Sequence, residues 1–268
     1  MTLGVVVAGA TGWTGRAVAE AVLQASDLTL RSGVSRSAAG IDLGQAWGGP
    51  PNGVPVHATV AEALDEADVL VDYTSHAAVR DHVMAAIARE IHVVIGSSGL
   101  SGEDFAEIDA AARAAGVGVV AAGNFSLTAA LAQAAALLAA RFLPDREIVD
   151  YASSTKRDSP SGTARELAER LAEVSRPVPE VPLEQTAGHV EARGVTLGGT
   201  QVHSLRLPGF TVSTEVVFAA PDERLIIRHD AGTSAAPYVA GTLLAIRAVP
   251  RRTGLVRGLD TLLLAAER

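Results

Sequence analysis

"GVVVAGATGWTGRAVAEAVLQA", Gly4 to Ala25, is the stretch that decides the fold. An apolar, β-branched run ends in glycines at 9, 12 and 15, and a helix-forming, alanine-rich segment opens at Arg16. A glycine-rich turn between a strand and a helix lets backbone N–H groups come close to a phosphate at the positive helix end. The spacing is GxxGxxG rather than the commoner GxGxxG, and glycines also serve simple tight turns, so the turn alone leaves both readings open. Its place at the first strand–helix junction favours a dinucleotide, and Gly9, Thr11, Gly12, Trp13 and Thr14 are the residues expected to meet it.

The same alternation recurs downstream. "VLVDYT" leads into "HAAVRDHVMAAIARE", "HVVIGSSG" into "EDFAEIDAAARAA", and "VGVVAAGNFS" into "TAALAQAAALLAARF". Apolar strands alternating with helices imply right-handed crossovers and a parallel sheet covered on both faces. This is a Rossmann-type, doubly wound α/β arrangement. The pattern breaks after about residue 145. A proline-rich stretch, "RPVPEVPLEQ", is followed by three strand-like runs without helices between them, "QVHSLRLPG", "TVSTEVVFAA" and "RLIIRHDA". They predict a second α+β domain with a mixed or antiparallel sheet. The expected boundaries are 1–123 for the dinucleotide-binding domain and 124–232 for the second. The helical segment within 233–268 is expected to pack back on the first.

Composition narrows the function classes. The 268 residues are 48% hydrophobic and carry a net charge of −8 with no Lys/Arg-rich run, which argues against nucleic acid or anionic lipid and for a small-molecule partner. Cysteine is absent, so disulfides and thiolate metal sites are excluded, and no metal site is expected. The N-terminus lacks a basic leader and no apolar run is long enough for a membrane span, so a cytoplasmic protein is expected.

Cofactor choice is written at the end of the second strand, where an acidic residue would accept from the ribose of NAD. Here Ser35, Arg36 and Ser37 stand there. An arginine between hydroxyls favours the extra phosphate of NADPH, with NADH as the other candidate; a solvated surface arginine is the plain alternative. Later strand ends supply Thr74, Gly96, Ser98, Ala122, Asn124 and Phe125, where a nicotinamide ring would rest. In "STKRDSPSGTA", Ser154 to Ala164, a helical stripe begins near Thr163, and Thr163 and Glu166 have capping-box spacing. The helix start at Gly162 and Thr163, with the ammonium of Lys156, would hold a carboxylate, although a purely structural cap would look the same.

Taken in order, "GATGWTG", "DYT", "GSSG", "GNFS" and "KRDSPSGTA" give the chain a resemblance to the dihydrodipicolinate reductase family, over nearly its full length. The last motif matches the family's K-x-D-x-P-S-G-T-A. The resemblance implies a lysine-pathway type of reaction, in which NAD(P)H reduces a cyclic imine dicarboxylate, and a homo-oligomer, tetramer or dimer. It also implies that Lys156, Gly162 and Thr163, with Ser153 and Ser161 beside them, bind the substrate carboxylate. Gly12, Ser35 to Ser37, Thr74, Gly96, Ser98, Ala122 and Phe125 would line the cofactor site.

The departures bear on chemistry. The family's histidine pair, H-H-x-x-K, whose first member is its proposed proton donor, falls here at Ala152 and Ser153, and neither is an acid near neutral pH. A later family histidine falls at Thr214. His189 and His203 could replace the donor only if the fold brings them close. The expectation is therefore reduction of a C=N bond in an imine, or amine formation from a carbonyl compound, on a substrate other than the usual dicarboxylate. Retention of the lysine-pathway step, with Lys156 or water as donor, and a catalytically dead NADP(H)-binding protein are the alternatives.

Overall fold

The computed structural model describes residues 2–265. The chain divides into two units, Met1–Leu127 with Ala235–Arg268, and Thr128–Ser234.

The first unit is built on seven parallel strands in the order β12-β6-β5-β4-β1-β2-β3. In chain order they are β1 (Leu3–Ala8), β2 (Leu28–Val34), β3 (Val56–His57), β4 (Val69–Asp72), β5 (His92–Ile95), β6 (Gly118–Ala121) and β12 (Gly254–Arg257). Val5 to Ala8 and Val69 to Val71 are wholly buried, as both-face coverage of a parallel sheet requires. The covering helices are α1 (Trp13–Gln24), α2 (Leu43–Ala46), α3 (Val60–Ala63), α4 (Val79–Ile87), α5 (Gly102–Ala115), α8 (Ala236–Ala248) and α9 (Leu259–Ala265). The strand order reverses between β1 and β4, and ligands of such sheets gather beyond the strand ends at that point. β3, β12, α2 and α3 run only two to four residues each and were not expected from the sequence.

The second unit carries a mixed five-stranded sheet, β11-β10-β7-β9-β8. β7 (Arg146–Ala152) runs parallel to β9 (Thr200–Arg206), while β10 (Val212–Ala220), β11 (Glu223–Asp230) and β8 (Val195–Leu197) pair antiparallel. The three expected runs are β9, β10 and β11. The helices α6 (Leu127–Ala139) and α7 (Gly162–Val174) cover one face, where Ile148, Val202, Val216 and Phe218 meet Leu167 and Leu171. Alternation along β7 sends Arg146, Ile148, Asp150 and Ala152 inward. Arg146 survives burial by donating to the carbonyls of Leu171 and Ser175 at the end of α7.

One local expectation is corrected here. α7 starts at Gly162, and its cap is Ser161, whose Oγ accepts from the Ala164 amide at 3.3 Å. Thr163 therefore lies inside the first turn, and Glu166 does not close a capping box. Glu166 is buried instead, accepting from Gln133 Nε2 at 3.0 Å.

Candidate active site

On the first unit, the turn after β1 is shaped by steric necessity. Gly9 has φ +81°, and a Cβ there would lie 2.3 Å from the Tyr73 carbonyl. A Cβ on Gly15 would lie 2.2 Å from the Gly9 carbonyl, so helix and turn meet backbone to backbone. Gly12 caps α1 without any side chain, and no side-chain hydrogen bond closes the helix start, so the first amides, at Trp13 and Thr14, have no capping side chain. Thr11 Oγ1 and Ser35 Oγ are 2.8 Å apart and Ser35 Oγ and Ser37 Oγ 3.3 Å, a row of hydroxyls joining the turn to the end of β2. Arg36 beside them is exposed and makes no ion pair among the described residues. An uncapped positive helix end, a turn that only glycine can make and an unengaged guanidinium fit a phosphorylated dinucleotide.

The ends of β4 and β5 are tied by one buried carboxylate. Asp72, fully buried, accepts from the Thr74 amide (3.1 Å), Thr74 Oγ1 (2.8 Å) and Ser97 Oγ (2.5 Å), while its other oxygen meets His82 Nδ1 at 2.8 Å. Ser97 is thus occupied in holding the loop, whereas its neighbour Ser98 is exposed. At the end of β6, Asn124 Oδ1 accepts from the Ser126 amide, and the Phe125 ring is buried edge-on to Tyr73 at 6.1 Å. These two side chains shape the loop, and the amides of Gly96 and Ala122 tie the strand ends together by donating to the Asp72 and Ile95 carbonyls.

On the second unit, the stretch from Lys156 to Thr163 is pinned by charged groups that sequence reading missed. Asp150, wholly buried on β7, accepts from the Ser161 amide (2.8 Å), Ser161 Oγ (2.7 Å), Ser204 Oγ (3.1 Å) and Arg206 Nη2 (2.8 Å). Arg206 also donates to the Asp158 carbonyl at 2.7 Å. Lys156 Nζ lies 2.8 Å from Asp158 Oδ1. Burial works against the charge on Asp158, but the hydrogen bond and charge of Lys156, with the charge of Arg206, outweigh it and hold the carboxyl below the usual range. Ser153 Oγ accepts from the Thr155 amide and forms the turn that precedes Lys156. The Gly162 amide donates to no group among the described residues, so the start of α7 keeps a donor for an anion.

No histidine joins this stretch from the places first considered. His203 lies on the other face of the sheet, 2.8 Å from Glu147, while its neighbours Ser204 and Arg206 face Asp150. His189 is exposed on the turn before β8. Ala152, at the first histidine position of the motif, is fully buried. The histidine on the α7-covered face is His229, paired in register with Thr214. A charged residue at an inward strand position, as at Asp150 and Arg206, was the available signal for the scaffold of this loop.

Two models of dihydrodipicolinate reductase match the chain, the N-terminus over residues 3–125 and the C-terminus over residues 123–263. The chain belongs to the dihydrodipicolinate reductase family. Among curated relatives, 4-hydroxy-tetrahydrodipicolinate reductase of Moorella thermoacetica is 40% identical over 98% of each chain, and that of Thermosynechococcus vestitus 38% identical over 97% of each. A dipicolinate-bound dihydrodipicolinate reductase from Paenisporosarcina sp. TG-14 superposes with a TM-score of 0.75 at 27% identity, covering 97% of this chain and 99% of that one. An amine dehydrogenase from Mycobacterium smegmatis shares the fold, with a TM-score of 0.64 at 16% identity over 95% and 94% of the two chains. As a dihydrodipicolinate reductase family member, the chain is a reductase using a nicotinamide cofactor. No helix among the described residues is long and apolar enough to cross a membrane.

Proposed function

We propose that this chain reduces the C=N bond of a small, carboxylate-bearing imine, with NADPH preferred over NADH. The observation that carries the reading is the loop at the start of α7. It joins an ammonium paired to Asp158 and an unengaged Gly162 amide, while a buried alanine stands where the family motif has its first histidine. The cofactor, when bound, supplies a hydride. Gly9, Thr11, Gly12, Trp13 and Thr14 hold its pyrophosphate, and Ser35, Arg36 and Ser37 the 2′-phosphate. Thr74, Gly96, Ser98 and Ala122, with the backbone of Asn124 and Phe125, flank the ring.

Lys156, Gly162 and Thr163 hold the substrate carboxylate, while Ser161, with both its donors on Asp150, anchors the loop and Ser153 shapes the turn. A basic imine arrives already protonated as an iminium, so hydride addition gives the amine directly and asks no residue for a proton. Orientation and electrostatics carry that step. Lys156 then acts as a fixed positive charge.

The names of the relatives favour a second reading, reduction of the dicarboxylate of the lysine pathway, in which Lys156 or water donates the proton. Oxidation of NADPH by the purified protein decides between them, measured with dihydrodipicolinate, with cyclic imine monocarboxylates, and with 2-oxo acids plus ammonia. Turnover of the monocarboxylates above the dicarboxylate is expected. The reverse order would establish the second reading, and NADPH binding without turnover of any of them would leave a nucleotide-binding protein. A homo-oligomer is part of the proposal and is checked by light scattering.

A further inference from the structure

Beside Thr163 a narrow, open-mouthed cleft with about 20 Å³ of accessible space lies between α6, α7 and the edge formed by β10 and β11. Ala132, Leu167, Val216 and Ile227 give it aliphatic walls. Its polar groups are Thr163 at one end, Gln133, and the register pair Thr214 and His229. Thr214 is more than nine-tenths buried, and its Oγ1 has no hydrogen-bond partner among the described residues. A buried hydroxyl without a partner costs free energy, which a ligand group could recover.

No lysine or arginine is among the described residues lining the cleft, and Gln133 leads to Glu166, whose carboxylate faces Arg170 at 3.8 Å. Burial holds His229 below the usual histidine range, against the opposing charge of Asp230, so the ring is neutral near pH 7. A second carboxylate would therefore enter this cleft without a cation to meet it and would lose its hydration.

We propose that this cleft is the side-chain subsite of the substrate whose carboxylate sits at Lys156 and Thr163, and that it takes a short, uncharged aliphatic substituent in place of a second carboxylate. The proposal rests on the imine reading above for the identity of the reacting group. Thr214 gives the subsite a preference for a substituent bearing a hydroxyl.

Calorimetry on the NADP⁺-loaded protein tests this with product-like amino acids: alanine, 2-aminobutyrate, norvaline and homoserine. Affinity is expected to rise about fourfold per added methylene from alanine to norvaline. Ala132→Leu, which fills the cleft from the half-buried face of α6, should abolish that rise and leave alanine binding within twofold. Thr214→Val, close to isosteric, should remove the advantage of homoserine over norvaline without touching the methylene increment. A flat series in the wild-type protein, or an unchanged series in a folded Ala132→Leu protein, overturns the proposal. Should that variant not fold, the Thr214→Val comparison decides, and an unchanged homoserine preference overturns it. Turnover separates the two readings. Amino acids binding as expected while no imine is reduced would refute the reaction and leave the subsite. Imine reduction without chain-length dependence would refute the subsite and leave the reaction.

Discussion

Replacing Lys156 by methionine removes a positive charge and leaves Asp158 behind, and the second effect has to be separated from the first. The pair is 2.8 Å apart, with side chains about 27% and 31% exposed, so it sits at the border between surface and interior. A charge-assisted contact to a substrate carboxylate is worth about 1.5–3 kcal/mol, which corresponds to roughly a ten- to hundredfold rise in KM. Asp158 without its cation adds repulsion of the incoming anion, so Lys156→Met should overshoot that range. The double variant Lys156→Met with Asp158→Asn removes the orphaned charge as well and should fall within it. In steady-state NADPH oxidation, kcat should stay within a few-fold, and an imine without a carboxylate should be nearly indifferent to either variant. Asp158 is held below its ordinary value when paired, so its contribution is present above about pH 4 and is lost only as pH falls through that lowered value. Between pH 5 and 8 Asp158 should therefore impose no pH dependence on KM. A collapse of kcat for every substrate, with loss of an alkaline limb from the pH profile, would refute this reasoning and make Lys156 the proton donor.

Arg36→Leu should weaken NADPH roughly ten- to a hundredfold and NADH little, by fluorescence titration; equal losses would detach Ser35 to Ser37 from the phosphate. Gly12→Val should fold, since the backbone there has φ −77° and an added Cβ meets only the Gly9 carbonyl at 3.2 Å, yet should lose NADPH binding because the branch stands over the turn. Placing histidines at the motif positions, Ala152→His with Ser153→His, overfills a fully buried site and should cost about 1–3 kcal/mol in urea unfolding. If only a donor is missing, the same change should raise dihydrodipicolinate reduction; a folded variant with no gain indicates a pocket rebuilt for another substrate.

The parallel sheet was readable because β1, β4, β5 and β6 are short, largely apolar runs, each followed by a helix-forming segment. β3 and α3 escaped because two- and four-residue elements are too short for a period to show. The cap of α7 was misread by two residues because Ser161 and Thr163 are both good caps, and only the packing of Asp150 against Ser161 selects between them. The glycine turn was legible from its spacing, since Gly15 meets the Gly9 carbonyl within the same motif. Asp150 and Arg206 were not, because they lie 56 residues apart and only the pairing of β7 with β9 joins them.

The carboxylate of Asp72 is a constraint on how this protein can be altered. Thr74 and Ser97 belong to different loops, and His82 to a helix, yet all three direct their polar atoms at one buried side chain. A chimera that imports the loop after β5 from a relative with no hydroxyl at position 97 would strip one donor from a fully buried carboxylate, at about 1–3 kcal/mol. Importing the loop after β4 alone has the same cost at Thr74. The two loops therefore form a single heritable unit, and directed changes of coenzyme preference made in one of them should survive selection only when positions 72, 74, 82 and 97 are carried or varied together.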